Sequence, residues 1–448
     1  MDTIAAIATA AGTSAVGIVR ISGEKTGEVL RALFAPAKGE LAPRRMTYGT
    51  VCDAQGRVID HAMAVEFAAG SSYTGEASAE LHCHGSPVIL NEVLQSCIKA
   101  GARLARAGEF TERAFLNGRL DLTEAEAVID LIEAETAEAA RNAALQVDGA
   151  LRRPVERIYD ALLDISSRFY AVVDYPDEDI EDLDREDMNR TLRMGEKELA
   201  MLRGTFERGK VMKHGAATAI IGAPNAGKSS LLNALVGYER AIVTDIAGTT
   251  RDTVEEKAVV GGVLLRLIDT AGLRESTDVV EQMGIERSRA AAASAQLVLA
   301  VMDGSRPMDA ADEETLRLCR ESGKRCIAVL TKADLGAVDH GELDGVQTVR
   351  LSAHSGEGME QLEKAVQELF DTETSASGTL VTNARQAEAI GRAEEAIRAA
   401  REALESGMTP DVILTEIESA QNALGELTGR TARSDMVSRI FERFCVGK

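Results

Sequence analysis

Tryptophan is absent from this chain, and aromatic residues of all kinds make up only 3% of its 448 positions. Alanine, leucine, glutamate and arginine abound instead, which is the composition of a chain with much helix. The six cysteines (Cys52, Cys83, Cys97, Cys319, Cys326 and Cys445) form no CxxC pair and no regular framework. That argues against a disulfide scaffold and makes a reducing cytosol the simpler expectation. No apolar run approaches the roughly 20 residues that span a bilayer. The start, Met1-Asp2-Thr3-Ile4-Ala5-Ala6-Ile7, lacks a basic n-region and carries an acid where a transit peptide avoids one. A soluble cytoplasmic protein with no membrane partner is expected. Basic residues are in deficit, 50 Lys and Arg against 72 Asp and Glu, for a net charge of −22. This excludes a uniformly basic nucleic-acid surface, so any such contact needs local patches or a partner subunit.

What the chain does have is centred on Gly222-Ala223-Pro224-Asn225-Ala226-Gly227-Lys228-Ser229. It follows an apolar run, Ala216 to Ile221, that reads as a buried strand, and precedes Ser230-Leu231-Leu232-Asn233-Ala234-Leu235, which reads as a helix. Strand, G-x-x-x-x-G-K-S, helix is the context that distinguishes a phosphate-binding loop from a chance glycine-rich turn. The glycines let successive N–H groups point inward at a polyphosphate. The helix N-terminus adds partial positive charge, Lys228 neutralises the β and γ oxygens, and the Ser229 hydroxyl can ligate Mg²⁺.

Three further apolar runs end in matching motifs. Leu264 to Ile268 ends in Asp269-Thr270-Ala271-Gly272, where the Asp would hold Mg²⁺ and the Gly could sense a γ-phosphate. Cys326 to Leu330 ends in Thr331-Lys332-Ala333-Asp334, and a fourth run ends at Leu351-Ser352-Ala353, followed by His354. In order and spacing these resemble the motif set of the translation-factor-like GTPases. An Asp334 carboxylate accepting from guanine N1 and N2 would leave adenine unsatisfied, so GTP rather than ATP is the expected nucleotide. That family usually has Asn at the first position of this motif. Thr331 stands there, which bears on how the loop is braced and not on guanine selection.

At this length two to four domains are expected. Residues 1–118 read as an α+β domain, with strands at Val16 to Ser22, Ala62 to Phe67 and Ser78 to His84, and helices at Glu24 to Phe34 and Pro87 to Lys99. His82, Cys83 and His84 invite a zinc reading, but strand alternation sends Cys83 to the opposite face and no further ligand cluster follows. Residues 119–213 read as helical: one long helix opens at Asp121 and runs beyond Ala144, with Thr123 and Glu126 as a capping box. Pro154 and Pro176 are expected to break the helical run, and Asp177 to Asp182 reads as a solvated acidic connection rather than a metal or partner site. Residues 214–372 form the GTPase unit, a Ras-like mainly parallel sheet with helices on both faces. Residues 373–448 are helical again, from Asn383 to Ser406 and Pro410 to Phe444, and end in Cys-Val-Gly-Lys. Helical regions on both sides of an α/β unit suggest that the unit is inserted into one helical domain.

The segments Gly17-Ile18-Val19-Arg20-Ile21-Ser22-Gly23, Leu81-His82-Cys83-His84-Gly85, Gly108 to Ala127, the GTPase unit and Phe444-Cys445-Val446-Gly447-Lys448 coincide in order. Over essentially the full chain they resemble the MnmE/TrmE family of GTPases that modify the wobble uridine of tRNA. The resemblance implies a multidomain α/β protein whose N-terminal domain binds 5-formyltetrahydrofolate (or a related tetrahydrofolate) and mediates homodimerisation. It maps folate contacts onto Arg20, Glu80, Arg119 and Lys448. Arg119 stands where the family often has Lys, which keeps the charge and changes the donor geometry. Without the resemblance, Arg20 and Glu80 would read equally well as a cross-strand ion pair. Cys445 fits a lipid-modified C-terminus poorly and the family's C-x-G-K ending fully, so it reads either as a thiol for one-carbon chemistry or as a structural one.

The resemblance further implies an FAD-dependent partner subunit (MnmG), with which the homodimer forms a heterotetramer or larger assembly acting on tRNA. Around the nucleotide it implicates Asn225, Ala226, Gly227, Lys228, Ser229 and Ser230; the stretch Thr244-Asp245-Ile246-Ala247-Gly248-Thr249-Thr250; Asp269 to Gly272; and Thr331, Lys332, Asp334, Ser352, Ala353 and His354. Leu273 occupies the position where a Ras-like enzyme has a water-orienting Gln, so another residue must align the water. Arg274, Glu275, Asp278 and Glu281 follow, and alignment to the family selects Glu281, which taken alone would read as a solvated helix-start glutamate. In place of an arginine finger the family uses K⁺, bound when two GTPase units meet. The Asn225 side chain and the backbone oxygens of Thr244, Ile246 and Thr249 would hold it, while Thr250 joins Ser229 on Mg²⁺. The competing class is a regulatory or ribosome-assembly GTPase switch without RNA-modifying chemistry, which would have no need of the folate residues or the C-terminal motif.

Overall fold

The computed structural model describes residues 2–174, 184–238, 256–268, 281–336, 338–341, 343, 345–370, 380–431, 434–442 and 444–447. The chain divides into two compact units, one made of Met1–Ile129, Gln146–Arg193 and Arg392–Lys448, the other of Asp130–Leu145 and Met194–Gly391.

The first unit holds a seven-stranded sheet of order β3-β4-β5-β6-β2-β1-β7. Its strands are β1 (Ile4–Ile7), β2 (Ser14–Ser22), β3 (Phe34–Pro36), β4 (Thr47–Cys52), β5 (Val58–Phe67), β6 (Ser78–Gly85) and β7 (Arg103–Leu104). Alternation decides its faces. Val19, Ile21, Ala79, Leu81 and Cys83 point into a core closed by the helices Thr26–Leu33 and Pro87–Lys99, through Val29, Leu30, Val93 and Cys97. Burial pushes the Cys83 and Cys97 thiols up to about 12, so neither is a nucleophile at neutral pH. His82 and His84 face the other way and take carboxylate partners, Glu80 Oε2 at 3.1 Å and Asp60 Oδ1 at 2.8 Å. Among the described residues no group of three or more His, Cys, Asp or Glu is placed to hold a metal.

The helices between residues 121 and 174 correct three expectations. The capping box of Leu122–Ile132 is formed by Asp121 and Glu124, not Thr123 and Glu126: the Glu124 N–H donates to Asp121 Oδ1 and the Asp121 N–H to Glu124 Oε2, both at 2.8 Å. The long helix is two, Leu122–Ile132 and Ala137–Val147, because Thr136 ends the connection by accepting the Ala139 N–H at 3.1 Å. Pro154 does not break a helix. It lies in the first turn of Arg152–Asp174, where its missing N–H costs no hydrogen bond. Pro176 and the acidic run Asp177 to Asp182 lie outside the described residues. The helix Pro410–Thr428 packs on Arg152–Asp174, with Gln421 donating to Ser166 Oγ at 3.0 Å.

The second unit is built on a six-stranded sheet of order β13-β12-β11-β8-β10-β9. Its strands are β8 (Ala216–Gly222), β9 (Glu256–Val260), β10 (Val263–Ile268), β11 (Leu297–Asp303), β12 (Arg325–Thr331) and β13 (Gln347–Arg350). All neighbours are parallel except the β9–β10 hairpin, which turns on Gly261 and Gly262 at φ +58° and +76°. One face packs Leu265, Leu299, Val301 and Val329 against Leu231, Leu235, Leu362 and Val366 of the helices Lys228–Tyr238 and Met359–Phe370. The other packs Ala219, Ile221, Val298 and Ala300 against Ala292, Leu318 and Cys319 of Glu281–Ser294 and Ala310–Ser322. Helices therefore cover both faces, the doubly wound arrangement that places loops at the carboxyl ends of the parallel strands.

Cys319 and Cys326 form a disulfide across the turn between Ala310–Ser322 and β12. The two are seven positions apart and form no CxxC motif, and the helix-to-strand turn brings their Cα atoms to 6.3 Å. Among the described residues no helix is long and apolar enough to cross a membrane.

Candidate functional site

The carboxyl end of β8 leads directly into the glycine-rich loop. Gly222 is required there by close approach, since a Cβ would run into the Val301 carbonyl of the neighbouring strand. Asn225 adopts φ +61° and Gly227 φ +95°, curling the loop before the helix starts at Lys228. Asn is among the few residues that tolerate the left-handed region. The Lys228 ammonium donates to the carbonyls of Gly222 and Ala223 at 2.9 and 2.7 Å, folding its side chain over the loop. Burial lowers its pKa from the ordinary lysine value. Ser229 and Ser230 are exposed in the first turn of the helix.

The third and fourth motifs meet this loop. Thr331, at the end of β12 and 2% exposed, places Oγ1 2.6 Å from the Ala226 carbonyl and 3.0 Å from that of Met302. The threonine thus braces the phosphate loop in the way that an Asn amide would. Lys332 follows at φ +59° and opens the single 3₁₀ turn Ala333–Leu335. Asp334 accepts from the Ser352 hydroxyl at 2.6 Å, and that bond, with the nearby His354, holds its carboxyl below the usual range. Ser352 is fully buried, its N–H bound to the Glu357 carbonyl at 2.9 Å, and the Ala333 N–H reaches the Leu351 carbonyl at 3.3 Å. Asn225 to Ser230, Thr331 to Asp334 and Ser352 to His354 therefore stand at the carboxyl ends of strands of one sheet.

Of the remaining expected nucleotide residues, Thr244 to Thr250 and Asp269 to Gly272 lie outside the described residues. Glu281 is the first residue of Glu281–Ser294, and its side chain also lies outside them. One residue that sequence reasoning missed belongs here: Asp303, which ends β11 and reaches Lys332 Nζ at 2.6 Å. Its signal in the sequence was an acid closing an apolar strand, Leu297–Asp303.

A second cluster forms in the other unit. Arg20 and Glu80 are register partners across β2 and β6, joined by Nη2–Oε1 at 2.9 Å and Nε–Oε1 at 3.0 Å. The guanidinium carbon stands 5.8 Å from the Tyr73 ring centroid and 5.7 Å from that of Phe110. Its Nη1 lies 3.5 Å from the Gly447 carbonyl. The C-terminal segment is held there by the Gly108 N–H on the Cys445 carbonyl at 3.3 Å and by an antiparallel bridge between Ala107 and Val446. Phe441 and Phe444 anchor it, with ring centroids 5.1 Å apart. Cys445 is exposed. Arg119 bonds the Gly70 carbonyl at 3.4 Å, in the loop that carries Tyr73. Lys448 lies outside the described residues. Tyr73 and Phe110 were missed from sequence, since nothing local marks them as neighbours of Arg20.

Residues 3–119 match the family model described as GTP-binding protein TrmE N-terminus, and residues 122–445 match that of the MnmE helical domain. The chain is 43% identical over 462 residues to a tRNA modification GTPase MnmE from Roseiflexus sp. (strain RS-1), covering all of this chain and 99% of that one. It is 40% identical over 454 residues to the protein of the same name from Syntrophotalea carbinolica, with the same coverage. Among solved structures, the G-domain of FeoB from Methanococcus jannaschii is 26% identical with a TM-score of 0.26, covering 35% of this chain and 98% of that one.

Proposed function

The chain belongs to the MnmE family of tRNA modification GTPases, and from that premise we propose that it couples GTP hydrolysis to the addition of an aminomethyl-type group at C5 of the wobble uridine. It acts as a homodimer in the cytoplasm, with an FAD-dependent partner (MnmG) and a tetrahydrofolate one-carbon donor. The division of labour follows the domain ranges 1–118, 119–213, 214–372 and 373–448. The observation that carries RNA modification over a pure switch is the seam joining Cys445, Val446 and Gly447 to Gly108, Ala107 and Arg20, 427 residues apart at its widest. A GTPase that only switched would have no use for a guanidinium, a carboxylate and an exposed thiol gathered around its C-terminus.

At the nucleotide, the backbone N–H groups of the loop and Lys228 cradle the phosphates, and Lys228 places its positive charge where negative charge develops in phosphoryl transfer. Asp334, fixed by Ser352, selects the base. The donor chemistry suits two cations. Ser229, with Thr250, offers the hard hydroxyl oxygens that Mg²⁺ prefers, and Asn225 an exposed neutral amide oxygen for K⁺, joined by the backbone of Thr244, Ile246 and Thr249. Bound K⁺ supplies the positive charge of an arginine finger. Glu281 aligns the attacking water. In the other unit, Arg20, Glu80, Arg119 and Lys448 suit a ligand with a polar ring edge and a carboxylate tail. The acidic chain leaves most of the tRNA contact to the partner subunit, so alone it binds tRNA weakly at physiological salt.

The test is steady-state GTP hydrolysis in KCl and in NaCl at equal ionic strength, with wild type and Glu281→Ala. Stimulation by K⁺ of order 10² or more, lost in the variant, is expected from a charge that replaces an arginine finger. Equal rates in both salts contradict the K⁺ assignment.

A further inference from the structure

The Asp303 carboxylate is held by Ser305 on one oxygen and holds Lys332 of the neighbouring loop with the other. Asp303 closes β11 in parallel register with Thr331, the last residue of β12. The Gly304 N–H after it donates to the Thr331 carbonyl at 2.9 Å. Its Oδ1 accepts the Ser305 N–H at 3.0 Å and the Ser305 hydroxyl at 2.6 Å, which fixes the carboxylate plane. Its Oδ2 then stands 2.6 Å from Lys332 Nζ. The Asp303 side chain is 12% exposed and that of Lys332 34%, so the pair is screened less than a surface one. Partial burial pushes the Asp303 carboxyl up, but the Lys332 ammonium and the Ser305 donors outweigh it and carry the pKa down to about 2. The anion therefore persists across the physiological range.

Lys332 is constrained at both ends. Its backbone sits at φ +59°, a conformation an L residue adopts only where its surroundings impose it. Its ammonium is anchored on Asp303. Between these points runs the apolar four-carbon stem of a residue two positions from Asp334. A free lysine side chain gives up considerable rotamer entropy when a ligand orders it. Here the ordering is done on folding, which leaves a preformed surface for a flat base.

We propose that Asp303 is a positioning residue for the guanine base of GTP, acting through Lys332. The inference rests on the reading of Thr331-Lys332-Ala333-Asp334 as the guanine loop. Asp303→Asn isolates the contact: the amide oxygen still accepts from Ser305, while the amide nitrogen cannot accept from an ammonium. Lys332→Met approaches from the other side, keeping the stem and deleting the charge.

The experiment measures binding of a fluorescent GDP analogue to the full chain, wild type and variants, together with GTP turnover. Asp303→Asn and Lys332→Met are each expected to raise Kd about tenfold, as for one charge-assisted hydrogen bond, mainly through faster release. The value of kcat at saturating GTP should stay within about twofold, and the double variant should bind no worse than the weaker single one. Unchanged Kd in Lys332→Met overturns the proposal, because the stem then needs no anchor. So does an additive loss in the double variant, because Asp303 then acts on the fold rather than through Lys332. If Asp334→Ala also binds GDP like wild type, the guanine-loop reading itself has failed, an outcome distinct from failure of the anchor alone.

Discussion

Thr331 Oγ1 lies 2.6 Å from the Ala226 carbonyl, a hydroxyl tying the loop expected to read the base to the loop expected to hold the phosphates. The same oxygen is 3.0 Å from the Met302 carbonyl, so one hydroxyl hydrogen is shared between two buried acceptors. Thr331→Val keeps the shape and leaves both carbonyls without this donor. Loss of about 1–3 kcal/mol is expected, appearing as roughly a tenfold or greater rise in Kd for GDP and faster amide exchange in residues 222–229. Thr331→Asn, with two N–H donors, should bind at least as tightly as wild type. Calorimetric titration of GDP into the three proteins decides it, and a valine variant that binds normally would show that the brace is dispensable.

Glu109 anchors the most buried ion network of the N-terminal region. It is 2% exposed and accepts from Arg103, from the Arg106 N–H and from Arg113, itself 4% exposed. Burial pushes its carboxyl up, but these donors outweigh that and bring it from 4.5 down to about 2. A depressed folded-state pKa stabilises above the unfolded value, so this contribution is complete above about pH 4.5 and lost as pH falls toward 2. Glu109→Gln breaks the network with its arginines still in place and should cost about 3–5 kcal/mol. Urea unfolding followed by exchange protection of residues 1–118, at pH 7 and pH 3, measures both effects. The variant's deficit should shrink at the lower pH.

Asp121 has the opposite slope. Its Oδ1 caps the helix Leu122–Ile132 through Glu124 and Thr123, while its Oδ2 is buried with no partner. Burial above all, with the Glu124 charge adding to it, raises its carboxyl from 3.8 to about 6, against the pull of the cap donors and Arg152. A raised pKa means that the folded state prefers the neutral acid, so stability falls as pH rises from about 3.8 through 6. Asn retains the cap and removes the charge. Asp121→Asn should gain about 1 kcal/mol at pH 7 and flatten the dependence between pH 4 and 6, measured by thermal unfolding across that range. A loss of stability at pH 7 would contradict this account.

The parts legible in the sequence were those whose signals are local. Gly222 to Ser229 and Thr331 to Asp334 declare themselves because a strand, a tight loop and a helix start follow one another in the chain. The alternation of His82, Cys83 and His84 likewise gave their faces. Where distant residues decide, the sequence was silent or misleading. Nothing in Glu133-Ala134-Glu135-Thr136 breaks a helix by propensity, yet the chain turns there. Asp130 is taken by Lys213 and by Thr382, and Glu135 by Lys257, partners 83 to 252 residues away. Pro154 looked like a terminator and is tolerated because it falls in a first turn. Asn142 holds both the N–H and the carbonyl of Leu380, 238 residues on, a pairing no pattern announces. The same holds for Arg20, whose rings and backbone partner come from residues 73, 110 and 447.

The most direct test of the central claim, that GTP hydrolysis drives wobble-uridine modification, is nucleoside mass spectrometry of tRNA. The tRNA would be incubated with the full chain, an FAD-dependent partner, a tetrahydrofolate one-carbon donor, an amine source and GTP. The account predicts that a C5-substituted wobble uridine accumulates with GTP and fails to accumulate with a non-hydrolysable analogue. Unmodified tRNA in the presence of full GTPase activity, or equal modification without hydrolysis, would contradict it.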